Sequence, residues 1–209
     1  MEYQAILFDL DGTLAHVRRF CMHSITKSVF NGLGVSVTKA QVEHFLLAED
    51  RERIIKEEFG LDASVFWDMF WEHDYKQVAE KCLVVYEDTR AIPQIKKMGY
   101  ITGIVTESPQ RVMELKVEKI GKENFDHCLS VFDGEGKLHK PNPYGIFRCM
   151  EALGATPEKT LYVGDSIKDI LAARNANVTD MLISRNKGGI DVKPSMKIST
   201  LYELRDMLC

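Results

Sequence analysis

The sequence predicts an α/β protein, a parallel sheet with helices on both of its faces. Three observations lead there. From Asp88 to the C-terminus, short apolar runs, each long enough for one buried strand, alternate with stretches of helical length. Several of these runs stop on polar residues, as strands do when their carboxyl ends face a ligand. Between the first run and the second lies a long stretch with helical periodicity and no clear strand, which reads as an insertion.

Ala5-Ile6-Leu7-Phe8 is the first strand, and it ends on Asp9-Leu10-Asp11-Gly12-Thr13. From Ala15 to Tyr86 the pattern is helical: Thr38-Lys39-Ala40-Gln41 has capping-box spacing. There Phe66 and Phe70, and Trp67, Trp71 and Tyr75, recur at helical spacing, which stacks them on neighbouring faces and predicts packing within a small bundle. A helix around Ile92–Met98, with Pro93 in its first turn, ends at Gly99. Ile101-Thr102-Gly103-Ile104-Val105 is a buried strand ending at Thr106. Ser108-Pro109 then predicts a capped helix that closes near Gly121. Cys128–Phe132 is a short strand, Asp133-Gly134-Glu135-Gly136 a hairpin tip, and Lys137-Leu138-His139 the return. Asn142-Pro143 opens a helix to Leu153 that stops at Gly154. Thr160-Leu161-Tyr162-Val163 is a buried strand ending on Gly164-Asp165-Ser166. Met181–Ile183 and Met196–Ile198 are further strands, and Thr200 with Glu203 begins the last helix. The arrangement is a Rossmann-like core of residues 1–14 and 87–209 with an inserted α-helical cap, 15–86.

The chain has 209 residues and a net charge of −4, which argues against the basic stripe of a nucleic-acid surface. No apolar run reaches the length of a membrane span, and the start reads as a strand with no signal-peptide pattern, so a cytoplasmic protein is expected, monomer or homodimer. The five cysteines, Cys21, Cys82, Cys128, Cys149 and Cys209, are scattered without CxxC spacing and read as reduced packing residues.

Asp9 and Asp11 face the same side of an extended chain. Two such charges repel by about 4 kcal/mol at 4 Å and an effective dielectric near 20, so a compensating partner is needed. Thr106, Lys140, Asp165 and Asp169 sit at or just beyond other strand ends, and parallel strands deliver all of these to one edge. Carboxylates of this kind suit Mg²⁺, and a lysine with a hydroxyl suits a phosphoryl dianion. An aspartate can attack phosphorus, and a second carboxyl can serve as acid and then base. No Ser/His/Asp or Cys/His arrangement is evident.

The set Asp9-Leu10-Asp11-Gly12-Thr13, Thr106, Lys140-Pro141 and Gly164-Asp165-Ser166-Ile167-Lys168-Asp169 resembles the four motifs of the haloacid dehalogenase superfamily. The resemblance spans the chain and points to the phosphatase branch with a helical cap, similar to phosphoglycolate phosphatases. It implies a Mg²⁺-dependent hydrolase of a small phosphorylated metabolite. Asp9 would be nucleophile and metal ligand, and Asp11 acid/base, its carbonyl also on the metal. Asp165 and Asp169 would complete the metal site. Thr106, Lys140 and the Glu107 amide would hold the phosphate, and Thr13 and Ser166 would shape a loop and cap a helix.

The chain also departs from that pattern. Glu107 stands where relatives carry Asn, and it either turns away from the phosphate or reads a cationic or hydroxyl-bearing part of the substrate. His16 stands where many carry Asp, near the cap hinge. Arg18 or Arg19 would read a second anionic group. Asn177 replaces a common Gly and is expected to be left-handed. Asp11 argues against a halide-removing enzyme. A phosphomutase uses the same core residues. A phospho-accepting receiver has another chain order, and an inactive binding module would lack a core residue.

Overall fold

A computed structural model describes residues 3–48, 50–72, 81–132, 137–185 and 191–209. The chain forms two compact units, one of residues 1–16 and 85–209, the other of 17–84.

The larger unit is built on a six-stranded sheet. Its strands are β1 (Ala5–Phe8), β4 (Ile101–Thr106), β5 (His127–Ser130), β6 (Thr160–Gly164), β7 (Thr179–Ile183) and β8 (Met196–Ile198), in the order β5-β4-β1-β6-β7-β8. Every pairing is parallel, and β1 lies between β4 and β6 with Ala5 opposite both Ile101 and Thr160. The chain builds outward on one side of β1 and then on the other. That reversal opens a crevice beyond the carboxyl ends of β4, β1 and β6.

Both faces of the sheet are covered, which is why the strands read as unbroken apolar runs. Side chains alternate along each strand. Ile6, Phe8, Ile104, Leu161 and Val163 join one core cluster, and Leu7, Val105 and Tyr162 join the other. In chain order, α5 (Ile92–Lys97), α6 (Gln110–Ile120), α7 (Tyr144–Leu153), α8 (Ile167–Asn175) and α9 (Leu201–Leu208) complete this unit. Pro93 lies in the first turn of α5, Gly154 is the left-handed cap of α7, and Asn177 has a φ of 56°.

The second unit holds α1 (Arg19–Gly32), α2 (Lys39–Leu47), α3 (Arg51–Glu57) and α4 (Ala63–Glu72). Thr38 and Gln41 form the expected capping box on α2. Phe30, Phe45 and Phe66 make its centre, with ring centroids 4.8–5.5 Å apart. Trp67 stacks on Trp71 at 6.1 Å, so the aromatic spacing is bundle packing here; Tyr75 lies outside the described residues. No described helix is long and apolar enough to cross a membrane.

Several sequence expectations are corrected. Strands β2 (Ala15–Val17) and β3 (Leu83–Val85) pair where a purely helical stretch was expected. Three residues are too few to show an alternating pattern, and these strands form because the chain enters and leaves the helical unit side by side. The same pairing brings Cys21 and Cys82, expected to be reduced, to a Cα separation of 6.3 Å, within disulfide reach, and they are bonded. Cys128, Cys149 and Cys209 are free. The tip expected at Asp133–Gly136 lies outside the described residues, and Lys137–His139 form a turn instead of a returning strand.

Candidate active site

Strand β1 continues by one hydrogen bond, Asp9 N to Val163 O at 2.9 Å, and so carries Asp9 to the rim of the crevice, where the residue is only 4% exposed. Lys140 comes to meet it from the loop after β5. Its Nζ donates to Asp9 Oδ1 at 2.6 Å and to Asp169 Oδ1 at 2.7 Å. Asp169 is fixed from several sides. Its Oδ2 accepts from Ser166 N and Ser166 Oγ in the capping box of α8, and its Oδ1 also accepts from the Tyr162 hydroxyl at 3.3 Å. Asp165, at the end of β6, completes a group with Asp9 and Asp169 in which one carboxylate oxygen from each lies within 4.8 Å of the others.

Two glycines make this crowding possible. A Cβ on Gly164 would fall inside the Asp169 side chain. One on Gly12, whose φ is +92°, would fall inside the Asp165 carboxylate. Both positions are restricted by what lies against them, and Gly12 also by its left-handed backbone.

The electrostatics follow from burial. Desolvation, then the neighbouring acids Asp169, Asp165 and Asp11, raise the Asp9 carboxyl well above the ordinary range, against the pull of Lys140. Asp165 is pushed up to about 7, by burial first and then by the charge of Asp169. Burial works against the Lys140 charge, yet Asp169 and Asp9 hold its ammonium well above its usual value. One cation is thus shared among three acids. Asp9 Oδ2 is buried and accepts no hydrogen bond from the described residues. An unfilled acceptor beside two further carboxylates is a donor set for a hard divalent cation.

Asp11 faces elsewhere. Its Oδ1 pairs with the ammonium of Lys116, and its Oδ2 accepts from Ser108 Oγ at 2.6 Å and Thr106 Oγ1 at 3.3 Å. Burial would raise this carboxyl, but the Lys116 charge and the hydrogen bonds from Lys116 and Ser108 hold it below the ordinary range. The expected capping role of Ser108 is corrected here. Helix α6 begins at Gln110 with Pro109 at its N-cap position, so Ser108 stands one residue too early to cap it, and its hydroxyl is given to Asp11.

Glu107 turns toward the Lys140 loop, its Oε1 accepting from Lys140 N at 2.7 Å and its Oε2 4.0 Å from His139 Nδ1. The His16 ring lies 4.8 Å from that of Tyr86. Arg18 and Arg19 belong to the helical unit, where Arg18 precedes α1 and Arg19 pairs with Glu43. Thr13 Oγ1 is buried and accepts or gives no hydrogen bond among the described residues.

Sequence reasoning missed two cations. Lys116 occupies a core position in the stripe Val112, Met113, Lys116, Val117 of α6, and a lysine where an apolar residue is due was the available signal. Arg185, just past β7, donates through Nη2 and Nε to Thr13 O at 2.8 and 3.1 Å and forms a two-point pair with Asp88. Its only sequence trace is its place after a strand.

Residues 6–183 match the sequence profile of the family described as haloacid dehalogenase-like hydrolase. A pyrophosphatase PpaX from Bacillus mycoides is 29% identical over 192 residues, spanning 88% of this chain and 85% of that protein. The crystal structure of a HAD phosphatase from Thermococcus onnurineus aligns with a TM-score of 0.72 and 28% identity, covering 98% of this chain and 97% of its own. A Haemophilus somnus protein described as a predicted phosphoglycolate phosphatase shares the fold, with a TM-score of 0.80 at 17% identity over 100% of this chain and 99% of its own.

Proposed function

The chain belongs to the haloacid dehalogenase-like hydrolases, and we propose that it is a Mg²⁺-dependent phosphatase of a small phosphorylated metabolite, working through an aspartyl-phosphate on Asp9. The observation that carries this reading is the state of Asp9. Lys140 holds one of its oxygens at 2.6 Å, while the other is buried with no hydrogen-bond partner among the described residues.

In the first step an Asp9 oxygen bonds to phosphorus as the bond to the leaving oxygen breaks, and Asp11 passes a proton to that oxygen. The free Asp11 is ionised, so this proton enters with the phosphate monoanion of the substrate. In the second step water attacks phosphorus and gives its proton to Asp11. The bond from Asp9 to phosphorus breaks, and inorganic phosphate leaves with Asp9 restored, taking the proton from Asp11, which is ionised again. Lys140 and the Thr106 hydroxyl hold the phosphoryl oxygens, with the Glu107 amide beside them. Glu107 uses its carboxylate to set the Lys140 loop. Asp9, Asp165 and Asp169, with the Asp11 carbonyl, would hold Mg²⁺. When bound, the ion supplies charge neutralisation for the phosphoryl oxygens. Segment 15–86 is assigned as the cap insertion that sets substrate class, with His16, Arg18 and Arg19 as its candidates for reading the substrate.

The test is phosphate release from a panel of p-nitrophenyl phosphate, phosphoglycolate, sugar phosphates, nucleotides and pyrophosphate, with Mg²⁺ and then with EDTA. Release with Mg²⁺, silenced by EDTA and lowered about a thousandfold or more in Asp9→Asn, is expected. An Asp9→Asn protein that is folded and keeps substantial turnover refutes the nucleophile. Isomerised sugar phosphate without release points to a mutase.

A further inference from the structure

We infer, on the basis of the phosphatase reading above, that Lys116 is the positioning residue for Asp11, holding its carboxylate in the one orientation from which it hands protons to the leaving group and takes them from water.

The side chain of Lys116 is 1% exposed, whereas that of Asp11 is 41% exposed. The lysine therefore reaches Asp11 from the protein side and leaves the other side of the carboxylate open. Besides the Thr106 hydroxyl at 3.3 Å, the attachment has two close points. The Lys116 ammonium lies on Oδ1, and the Ser108 hydroxyl lies 2.6 Å from Oδ2. Lys116 Nζ also donates to Ser108 Oγ at 3.2 Å, which ties the two supports together. Donors on different oxygens fix the swing of the side chain and the twist of its carboxyl plane, the two freedoms an aspartate has.

The support is itself rigid. Lys116 is flanked on α6 by Met113 and Val117, both in the core cluster that also takes Ile6, Phe8 and Ile104. A lysine in such a stripe is costly, and an apolar residue of the same length would fill the space without removing a charge from water. What an apolar residue would not do is reach Asp11. The cation spent here is separate from Lys140, which serves Asp9 and Asp169. Two buried lysines thus divide the site, one for each half of the chemistry.

The experiment measures kcat and KM for the full chain and for Lys116→Met, Ser108→Ala, Asp11→Asn and the Lys116→Met/Asp11→Asn double variant. Its substrates are p-nitrophenyl phosphate, whose leaving group needs little protonation, and phenyl phosphate, whose leaving group needs more. Lys116→Met should lower kcat/KM by about tenfold to a hundredfold on phenyl phosphate, and by less on p-nitrophenyl phosphate. KM should stay within about threefold. In the Asp11→Asn background the same change should cost nothing further, since its route to the reaction is gone. Ser108→Ala should shift both substrates in the same sense by a smaller factor, and it carries the test if circular dichroism finds Lys116→Met unfolded. An unchanged kcat/KM, an equal loss of kcat/KM on both substrates, or a full further loss in the Asp11→Asn background overturns the inference. A wild-type chain that releases phosphate from no substrate overturns the phosphatase reading and this inference with it. An active wild type with any of the three contrary patterns overturns the inference alone.

Discussion

A Cβ on residue 12 would lie 2.7 Å from Asp165 Cγ, so Gly12 and Asp165 occupy adjoining space with no room for one more carbon. The loop after β1 passes against the end of β6 at the one residue type that permits it. Its φ of +92° adds a backbone cost for any other residue. Gly12→Ala should push the Asp165 carboxylate out of the three-acid cluster. The expected result is a loss of at least about a hundredfold in kcat/KM with Mg²⁺. Calorimetric Mg²⁺ titration should show the lost affinity, and wild-type affinity in that variant would contradict the crowding.

The acid cluster also sets a pH dependence. Burial, with Asp169 next, puts the Asp165 carboxyl at about 7, and burial lifts that of Asp9 as well. Between the unfolded value of about 4 and that value, the metal-free native state holds protons that the unfolded chain has released. Stability contributed by these groups is therefore present at the acid end and is lost as pH rises through about 7. A divalent cation competes with the same protons. Thermal melts of the metal-free protein should fall between about pH 5 and pH 8, and less so in Asp165→Asn. Adding Mg²⁺ should raise Tm more at the upper pH than at the lower.

Arg185 and Asp88 make a prediction about stability. The pair is bidentate at 2.6 and 2.8 Å, with both side chains 7% exposed. Asp88 also accepts from Leu201 N at the start of α9, and the guanidinium stacks 4.0 Å above Tyr86. Arg185→Met strips the cation and leaves a buried carboxylate without it. The expected cost is about 3–5 kcal/mol in urea unfolding. Arg185→Met/Asp88→Asn should cost less than the sum of its single changes, because each removes the other's partner. Additive losses would show that the two do not act as a pair.

The fold was legible because its central strands are buried on both faces and so read as apolar runs. The acids of the site were legible because they stand where those runs stop. What escaped were contacts that no local pattern encodes. Lys116 and Asp11 are 105 residues apart, and Ser108 reads locally as a cap until Asp11 is seen to claim its hydroxyl. Cys21 and Cys82, 61 residues apart, meet through two strands of three residues each. Arg185 finds Asp88 at a separation of 97. Each is a long-range pairing, and periodicity reports burial without naming the partner.

Glu107 separates a carboxylate's charge from its hydrogen bond. Its Oε1 takes the Lys140 backbone N–H at 2.7 Å, on the same residue whose ammonium reaches Asp9. The N–H is the fixed requirement, since the loop can set the lysine only if that donor is satisfied. Glu107→Gln keeps an acceptor of the same length and should retain kcat within about threefold. Glu107→Ala leaves the N–H to water and frees the loop, and kcat should fall by about tenfold or more as Lys140 loses its setting. If Glu107 instead met the substrate through its charge, the Gln variant would lose as much as the Ala variant, and the loss would fall on KM. Steady-state kinetics on the three proteins separates these outcomes, because a hydrogen bond survives the amide and a charge does not.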